Sequence, residues 1–146
     1  MSAIVFREES LDKLTRHLES SYPNEGVGFM YGLDGEEREI IDVLPVLNSK
    51  EGDQRRRFEV SPKDYLEAER YADQLGLQLL GVYHSHPNHP AIPSEHDLKS
   101  AVPFFSYVIQ SVQNGKAVYL TSWKLNDAHQ FEEEELAGEL IKNASV

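Results

Sequence analysis

The distribution of apolar residues and helix-capping residues along the chain predicts three helices. Segments 10–21 and 61–75 have apolar side chains at helical intervals, and segment 94–101 opens with a capping pattern. The middle segment is the most clearly bounded, because Ser61 suits the N-cap, Pro62 the first turn, and Gly76 the position after the last turn. These helices are separated by segments with a different periodicity.

Those intervening segments have the alternation and composition of strands. They are residues 4–6, 26–33, 37–44, 58–60, 78–84, 105–112, 117–125 and 131–136. Segment 78–84 is apolar on both faces, which indicates a central, buried strand, whereas four glutamates mark 131–136 as an edge strand. We therefore expect an α/β (α+β) fold, in which a mixed, mostly antiparallel central sheet is flanked by about three helices, in a single domain of residues 1–146.

Charge and composition exclude several classes of function. Fourteen Lys and Arg against 25 Asp and Glu give a formal net charge of −11, which argues against nucleic acid and anionic membranes as partners. The absence of cysteine excludes a thiol nucleophile, a disulfide framework and thiolate metal ligands. We find no apolar run of the roughly 18 residues that a membrane span needs and no signal peptide, so we expect a cytoplasmic protein.

Histidines are concentrated at the end of the predicted central strand. Four of the six fall within thirteen residues, whereas His17 and His129 are predicted to be surface residues. His84 and His86 are two positions apart, so their side chains leave the strand on one face and can share one cation. An isolated His-x-His pair often lies on the surface without a functional role. The neighbouring residues therefore decide whether this pair is interpreted as a metal site.

A catalytic divalent site commonly has three protein ligands, and Asp97 is the best candidate for the third. It supplies an anionic group in the first turn of the predicted helix 94–101, and two imidazoles with a carboxylate favour zinc. His89 and His96 are the alternatives to Asp97. Ser94 to Asp97 also matches an ordinary capping box, and we expect that an Asp97 bound to metal is not free to cap.

Metal-assisted hydrolysis also needs a general base, and Glu25 is the candidate. It precedes Gly26-Val27-Gly28, where small side chains allow close packing as a strand begins. By itself, a glutamate after Pro-Asn is usually a turn residue, so this pattern alone does not distinguish a base from a surface side chain.

Taken together, these residues resemble the signature of the JAMM (MPN-plus) zinc metalloproteases. The signature joins a distant Glu to His-x-His-Pro, a short spacer and Ser-x-x-Asp. Here it corresponds to Glu25, His84-Ser85-His86-Pro87, six intervening residues and Ser94-Glu95-His96-Asp97. The resemblance implies one Zn²⁺ held by His84, His86 and Asp97, with Glu25 deprotonating the attacking water and Ser94 donating to the oxyanion.

The loop His-Pro-x-x-Pro-Ser at residues 89–94 resembles the prokaryotic branch of this family. That resemblance implies hydrolysis of a peptide or isopeptide bond after the C-terminal Gly-Gly of a ubiquitin-like sulfur carrier protein. The alternatives are a zinc-dependent amidase acting on a small molecule and a non-catalytic MPN scaffold. The sequence leaves the oligomeric state open, with a homodimer as one candidate. The polar loop 48–57, with Arg55 to Arg57, is either a solvated insertion or a substrate-contacting loop.

Overall fold

The computed structural model describes residues 3–48, 50–55 and 57–137. Within them it has three helices, α1 (Glu8–Ser21), α2 (Pro62–Leu75) and α3 (Glu95–Ser100). The strands are β1 (Ala3–Phe6), β2 (Val27–Leu33), β3 (Glu37–Val46), β4 (Gln78–Pro87), β5 (Ser106–Gln113), β6 (Lys116–Leu125) and β7 (Phe131–Leu136). The predicted α+β class is confirmed. The segment after β7, for which the sequence predicts a helical turn or disorder, lies outside the described residues from residue 138 onward.

The strands form one closed sheet in the order β1-β3-β2-β4-β5-β6-β7. β1 lies parallel to β3 and β7, β4 lies parallel to β5, and the remaining neighbours are antiparallel. The prediction that 131–136 is an edge strand is wrong, because β7 pairs with β6 on one side and with β1 on the other. Three of its glutamates face solvent, which a strand with two paired neighbours can also carry, whereas Glu134 is buried and accepts hydrogen bonds from Ser106 and Ser122.

β2 and β4 contribute side chains to hydrophobic clusters on both of their faces. Met30 and Leu80 pack in one cluster with Leu14 and Leu18 of α1, while Val82 belongs to a second cluster with Ala68 and Ala72 of α2. The prediction of a central buried strand is therefore confirmed. β4 continues beyond its predicted end at residue 84 to Pro87, so that both histidines of the pair lie within the strand.

Close contact between β4 and β5 depends on one glycine. A Cβ atom at Gly81 would lie 1.9 Å from the carbonyl oxygen of Ser106, which is far inside contact distance. Because β5 pairs with β4 from Gly81 to Pro87, this approach supports the strand along the length that carries His84 and His86.

The predicted start of α1 and the predicted strand 58–60 are both wrong. α1 begins at Glu8 rather than Ser10, whose hydroxyl instead donates to the carbonyls of Arg7 and Ile40. Residues 58–60 are not a strand, because side chains rather than a neighbouring strand bind their main chain. Among the described residues, no helix combines the length and apolar character needed to cross a bilayer.

Candidate metal centre and active site

The two histidines of β4 point their Nε2 atoms at a common point. β4 is held between β2 and β5, with His84 opposite Val27 on one side and Ile109 on the other. Because alternate side chains of a strand share a face, the two rings lie side by side, and their Nε2 atoms are 3.2 Å apart. Both side chains are buried.

Asp97 completes a triangle with the two histidines. The proline-rich segment after β4 returns the chain to this point, and α3 places Asp97 Oδ1 3.3 Å from His84 Nε2 and Asp97 Oδ2 3.2 Å from His86 Nε2. Ligands at the usual Zn–N distance of about 2.0–2.1 Å are about 3.3 Å apart in a tetrahedral set. Each Nε2 atom is therefore at ligand spacing from the other and from one oxygen of Asp97, as expected for groups that could share one cation.

The carboxylate of Asp97 also caps α3. Its Oδ2 accepts a hydrogen bond of 2.8 Å from the main-chain N–H of Ser94, while its own N–H donates to Ser94 Oγ at 3.1 Å. The structure shows Asp97 in its capping role, so the prediction that capping and metal binding exclude each other stays a prediction. Two carboxylate oxygens offer about four lone-pair positions, and the cap uses one of them.

Hydrogen bonding fixes the tautomer of His86. Its Nδ1 lies 2.8 Å from the carbonyl oxygen of Pro90, and because a carbonyl can only accept, the proton is on Nδ1. Nε2 then presents a lone pair to the centre, as a metal ligand must. His84 has no such partner among the described residues, since its Nδ1 is buried without a hydrogen bond. Phe58 packs against the His84 ring instead, with 4.6 Å between ring centroids.

Burial and mutual charge set the protonation of these groups. Burial lowers the pKa of His84, which favours its neutral form. Burial acts to raise the pKa of Asp97, but the two histidines and the Ser94 N–H outweigh it and hold that pKa well below its ordinary value. Burial acts to lower the pKa of His86, but its hydrogen bonds with Asp97 and with the Pro90 carbonyl outweigh burial and raise that pKa. The centre therefore combines an ionised carboxylate with a neutral His84 and with a His86 whose protonated form must lose a proton before it can bind a cation.

Glu25 lies beside the centre, just before β2. Its carboxylate and the two imidazoles have ligand atoms that all lie within 4.8 Å of one another. Burial is the main cause that raises the pKa of Glu25 to about 8, although the charge of His86 acts in the opposite direction. Glu25 can therefore exchange a proton with a group bound at the centre.

A cavity of 530 Å³ opens over this constellation. Its lining residues are Glu25, His86, His89, Pro90, Ile92 and Ser94. Ser94 is exposed to it, and because its Oγ accepts from Asp97, its hydrogen can be donated to a bound molecule. The structure thus brings together all five residues of the predicted signature.

The other histidines have different surroundings. His89 is exposed at the rim of the cavity, and His96 Nε2 lies 3.2 Å from the carbonyl oxygen of Phe58 rather than at the centre. The prediction of a surface position is wrong for His17, which is half-buried with its Nδ1 2.6 Å from the hydroxyl of Tyr83. His129 is exposed, as predicted.

Sequence reasoning missed two side chains that contact the site residues, Asn48 and Phe58. Asn48 donates to the carbonyl of Glu25 at 3.0 Å, and Phe58 packs on His84. Asn48 lies in the polar loop, and Phe58 lies in a segment predicted as a strand. Neither sequence pattern identifies these two residues as the ones that contact the site.

Comparisons with known proteins agree with this arrangement. A family model described as prokaryotic homologs of the JAB domain matches residues 7–126. A Thermus thermophilus protein named probable TtuB-protein conjugate cleaving protease is 34% identical over 110 residues, covering 75% of this chain and 71% of that protein. The desampylase of Pyrococcus furiosus is 31% identical over 114 residues, covering 78% and 76%.

Solved structures show the same fold. The solution structure of protein DSY2949 from Desulfitobacterium hafniense has a TM-score of 0.79 at 29% identity, covering 91% of this chain and 90% of that one. A JAB1/MPN domain protein from Archaeoglobus fulgidus has a TM-score of 0.54 at 17% identity, covering 93% and 98%. The chain therefore belongs to the prokaryotic JAB-domain family, which confirms the family predicted from its signature residues.

Proposed function

We propose that this protein is a zinc metallopeptidase that hydrolyses the peptide or isopeptide bond after the C-terminal Gly-Gly of a ubiquitin-like sulfur carrier protein. The observation that carries the proposal is the triangle of His84, His86 and Asp97, with sides of 3.2–3.3 Å, beside the buried carboxylate of Glu25. Membership of the JAB-domain family supports the same reaction.

His84, His86 and Asp97 would hold the metal. When bound, Zn²⁺ supplies a Lewis acid that lowers the pKa of a coordinated water to about 7 and attracts the developing oxyanion. The cation would also lower the pKa of Glu25, because a nearby positive charge favours the ionised carboxylate. Glu25 would then be in its basic form at neutral pH.

The residues around the metal have separate tasks. Glu25 accepts the proton of the attacking water and later donates it to the leaving nitrogen, which balances the hydrolysis. Ser94, whose hydroxyl faces the cavity, donates a hydrogen bond to the carbonyl oxygen as negative charge develops there. Burial of Glu25 and the histidines keeps these interactions in a low-dielectric site, where they are stronger than in water.

Two considerations support the substrate class. The Thermus thermophilus relative is named for cleaving protein conjugates, and its match spans 75% of this chain. A Gly-Gly segment has no side chains beyond hydrogen, so it is the thinnest peptide that can approach a centre formed by buried side chains. We infer that the glycines act as a steric filter next to the cleaved bond.

A small-molecule amide is the second candidate substrate. The cavity of 530 Å³ lies within the roughly 300–1,000 Å³ range of small-molecule sites, and Ile92 gives it an exposed apolar wall. A non-catalytic scaffold has less support, because this chain retains every residue of the signature.

The test is mass spectrometry of a sulfur carrier extended beyond Gly-Gly, incubated with zinc-loaded protein. We expect cleavage after the second glycine, a loss of well over tenfold when that glycine is changed to Ala, and almost no turnover by Glu25→Gln despite a normal zinc content. Equal rates on the folded carrier and on a free short peptide, or indifference to the glycine, would favour the small-molecule amidase. Wild-type turnover by Glu25→Gln would remove the base from the mechanism.

A further inference from the structure

The loop after β3 binds both main-chain polar groups of Glu25. The Glu25 N–H donates to the carbonyl of Gln54 at 2.6 Å, and the Asn48 side chain donates to the Glu25 carbonyl at 3.0 Å. Glu25 lies two residues before β2 begins. The main chain that carries the candidate base is therefore held by a loop from elsewhere in the sequence.

The Asn48 side chain uses its whole hydrogen-bonding capacity. Besides Glu25, its Nδ2 donates to the carbonyl of Arg57 at 3.1 Å, and its Oδ1 accepts from the N–H groups of Lys50 at 2.9 Å and Glu59 at 3.1 Å. A side-chain amide can donate twice and accept twice, so every position is filled. Asn48 thus ties the two ends of the loop together at the point where it contacts Glu25.

Gln54 supports the same arrangement from within the loop. Its Nε2 donates to the carbonyls of Asn48 at 3.1 Å and Lys50 at 2.9 Å. These bonds hold residue 54 in place, so that its own carbonyl faces the N–H of Glu25. We call Asn48 and Gln54, with their bonds to Glu25, the Glu25 clasp.

The clasp also joins the base to the metal centre. Arg57, whose carbonyl Asn48 binds, is followed directly by Phe58, which packs on the ring of His84. One loop therefore contacts Glu25 at one end and a metal-binding residue at the other. A catalytic group must be held within about 0.5 Å of its working position, which a lone residue before a strand cannot ensure.

We propose that Asn48, assisted by Gln54, is a positioning residue that fixes Glu25 against the metal centre through its main chain. This inference rests on the proposed role of Glu25 as the base. The loop would then position the base. This role differs from those of a solvated insertion and of a loop that only contacts substrate.

Three variants distinguish the effect of losing the Glu25 clasp from the effect of destabilising the loop. Asn48→Ala removes all four side-chain bonds. Asn48→Asp keeps the two acceptor bonds and loses both donor bonds, to Glu25 and to Arg57. Gln54→Ala removes only the supporting bonds. Asn126→Ala is the matched control, because Asn126 also organises a turn by three hydrogen bonds, all within the β6–β7 hairpin. Each variant is compared with wild type for kcat, KM, zinc content and amide exchange.

For Asn48→Ala and Asn48→Asp we expect kcat to fall roughly 10- to 100-fold, with KM within about twofold and zinc content unchanged. The loss for Gln54→Ala should be smaller, and Asn126→Ala should match wild type. In the metal-free protein, NMR should show the Glu25 amide exchanging about tenfold faster in both Asn48 variants, with β5 amides unaffected.

An unchanged kcat, or a loss confined to KM, would overturn the positioning role. Unaltered protection of the Glu25 amide would overturn the clasp itself, whatever the activity. A wild-type protein inactive on every carrier would reject the proposed function, and amide exchange would still decide whether Asn48 holds Glu25.

Discussion

A single carboxylate, that of Asp97, connects the helix to the proposed metal centre. One of its oxygens accepts the cap bond from Ser94 and also lies near His86, while the other faces His84. Asp64 of α2 can be compared with Asp97, because each lies three residues after the N-cap serine of its helix. The Asp64 N–H donates to Ser61, as the Asp97 N–H donates to Ser94. Only Asp97 has histidines beside it.

Asp97→Asn should therefore lose zinc while Asp64→Asn keeps it. The amide retains an oxygen for the cap but lacks the negative charge, and we expect affinity to fall by more than about 100-fold, since even outer-shell changes cost 10–100-fold. Zinc titration monitored by calorimetry, with metal analysis of the purified variants, measures the effect. Equal affinity in the two variants would contradict the assignment of Asp97.

For individual residues, the sequence predicted which side chains form the signature but not which other side chains contact them. Glu25, His84, His86, Ser94 and Asp97 could be identified because their spacing matches a family pattern, and the structure brings them together. The contact of Asn48 with Glu25 joins residues 23 positions apart, and no local pattern encodes it. Likewise, the position of His17 beside Tyr83 depends on the packing of α1 against the sheet.

Helices α2 and α3 both begin with a serine N-cap, but the two caps lie in different surroundings. Ser61 and Ser94 both accept a hydrogen bond from the N–H three residues later, at 3.1 Å in each case. Ser94 additionally lines the cavity over the proposed metal centre, whereas Ser61 is not among the residues that line it. The pair therefore allows the contribution of a cap to be separated from that of an oxyanion donor.

Ser61→Ala should lower the free energy of unfolding by about 1 kcal/mol and leave kcat unchanged. For Ser94→Ala we expect a similar loss of stability, together with a fall in kcat on the order of 10²–10³, because the donor to the oxyanion is gone. Chemical denaturation and steady-state kinetics at full zinc occupancy measure the two effects. If Ser94→Ala behaves like Ser61→Ala in both assays, Ser94 is only a helix cap.

Elements with local signals were predicted well, whereas those that depend on distant partners were not. The bounds of α2 follow from Ser61, Pro62 and Gly76, which act within a few residues of themselves. Segment 58–60 has the composition of a strand, but Asn48 and His96 bind its main chain, and in the described part of the chain no strand pairs with it. Composition reports which side chains suit a sheet and does not reveal which groups will pair.

For the whole molecule, closure of the sheet was the least predictable feature. It depends on β1 pairing with β7, where Ala3 lies opposite Glu135, and nothing in either segment specifies a parallel partner so distant in sequence. The position of β4 inside the sheet also has a functional consequence, because β4 has a hydrogen-bonded neighbour on each side. A substrate backbone must therefore approach the centre along the loops around the cavity rather than by extending the sheet beside β4.

The distribution of charge supplies the last prediction. The chain carries a net charge of −11, yet Arg55 and Arg57 are exposed on the loop that binds Glu25, while Arg56 lies outside the described residues. A carrier with an acidic surface would be repelled by most of this protein and attracted near these arginines. Changing both Arg55 and Arg57 to Ala should raise KM about three- to tenfold at low salt and leave kcat within about twofold.

Ionic strength tests whether this effect is electrostatic. The difference in KM should shrink as salt rises from about 0.01 M to 1 M, because the screening length falls from about 30 Å to 3 Å. Lys63→Ala with Arg70→Ala, which removes two exposed charges from α2, is the matched control and should change KM little. An equal rise in KM for both double variants would assign the effect to net charge, and a rise insensitive to salt would assign it to direct packing of the arginine side chains against the substrate.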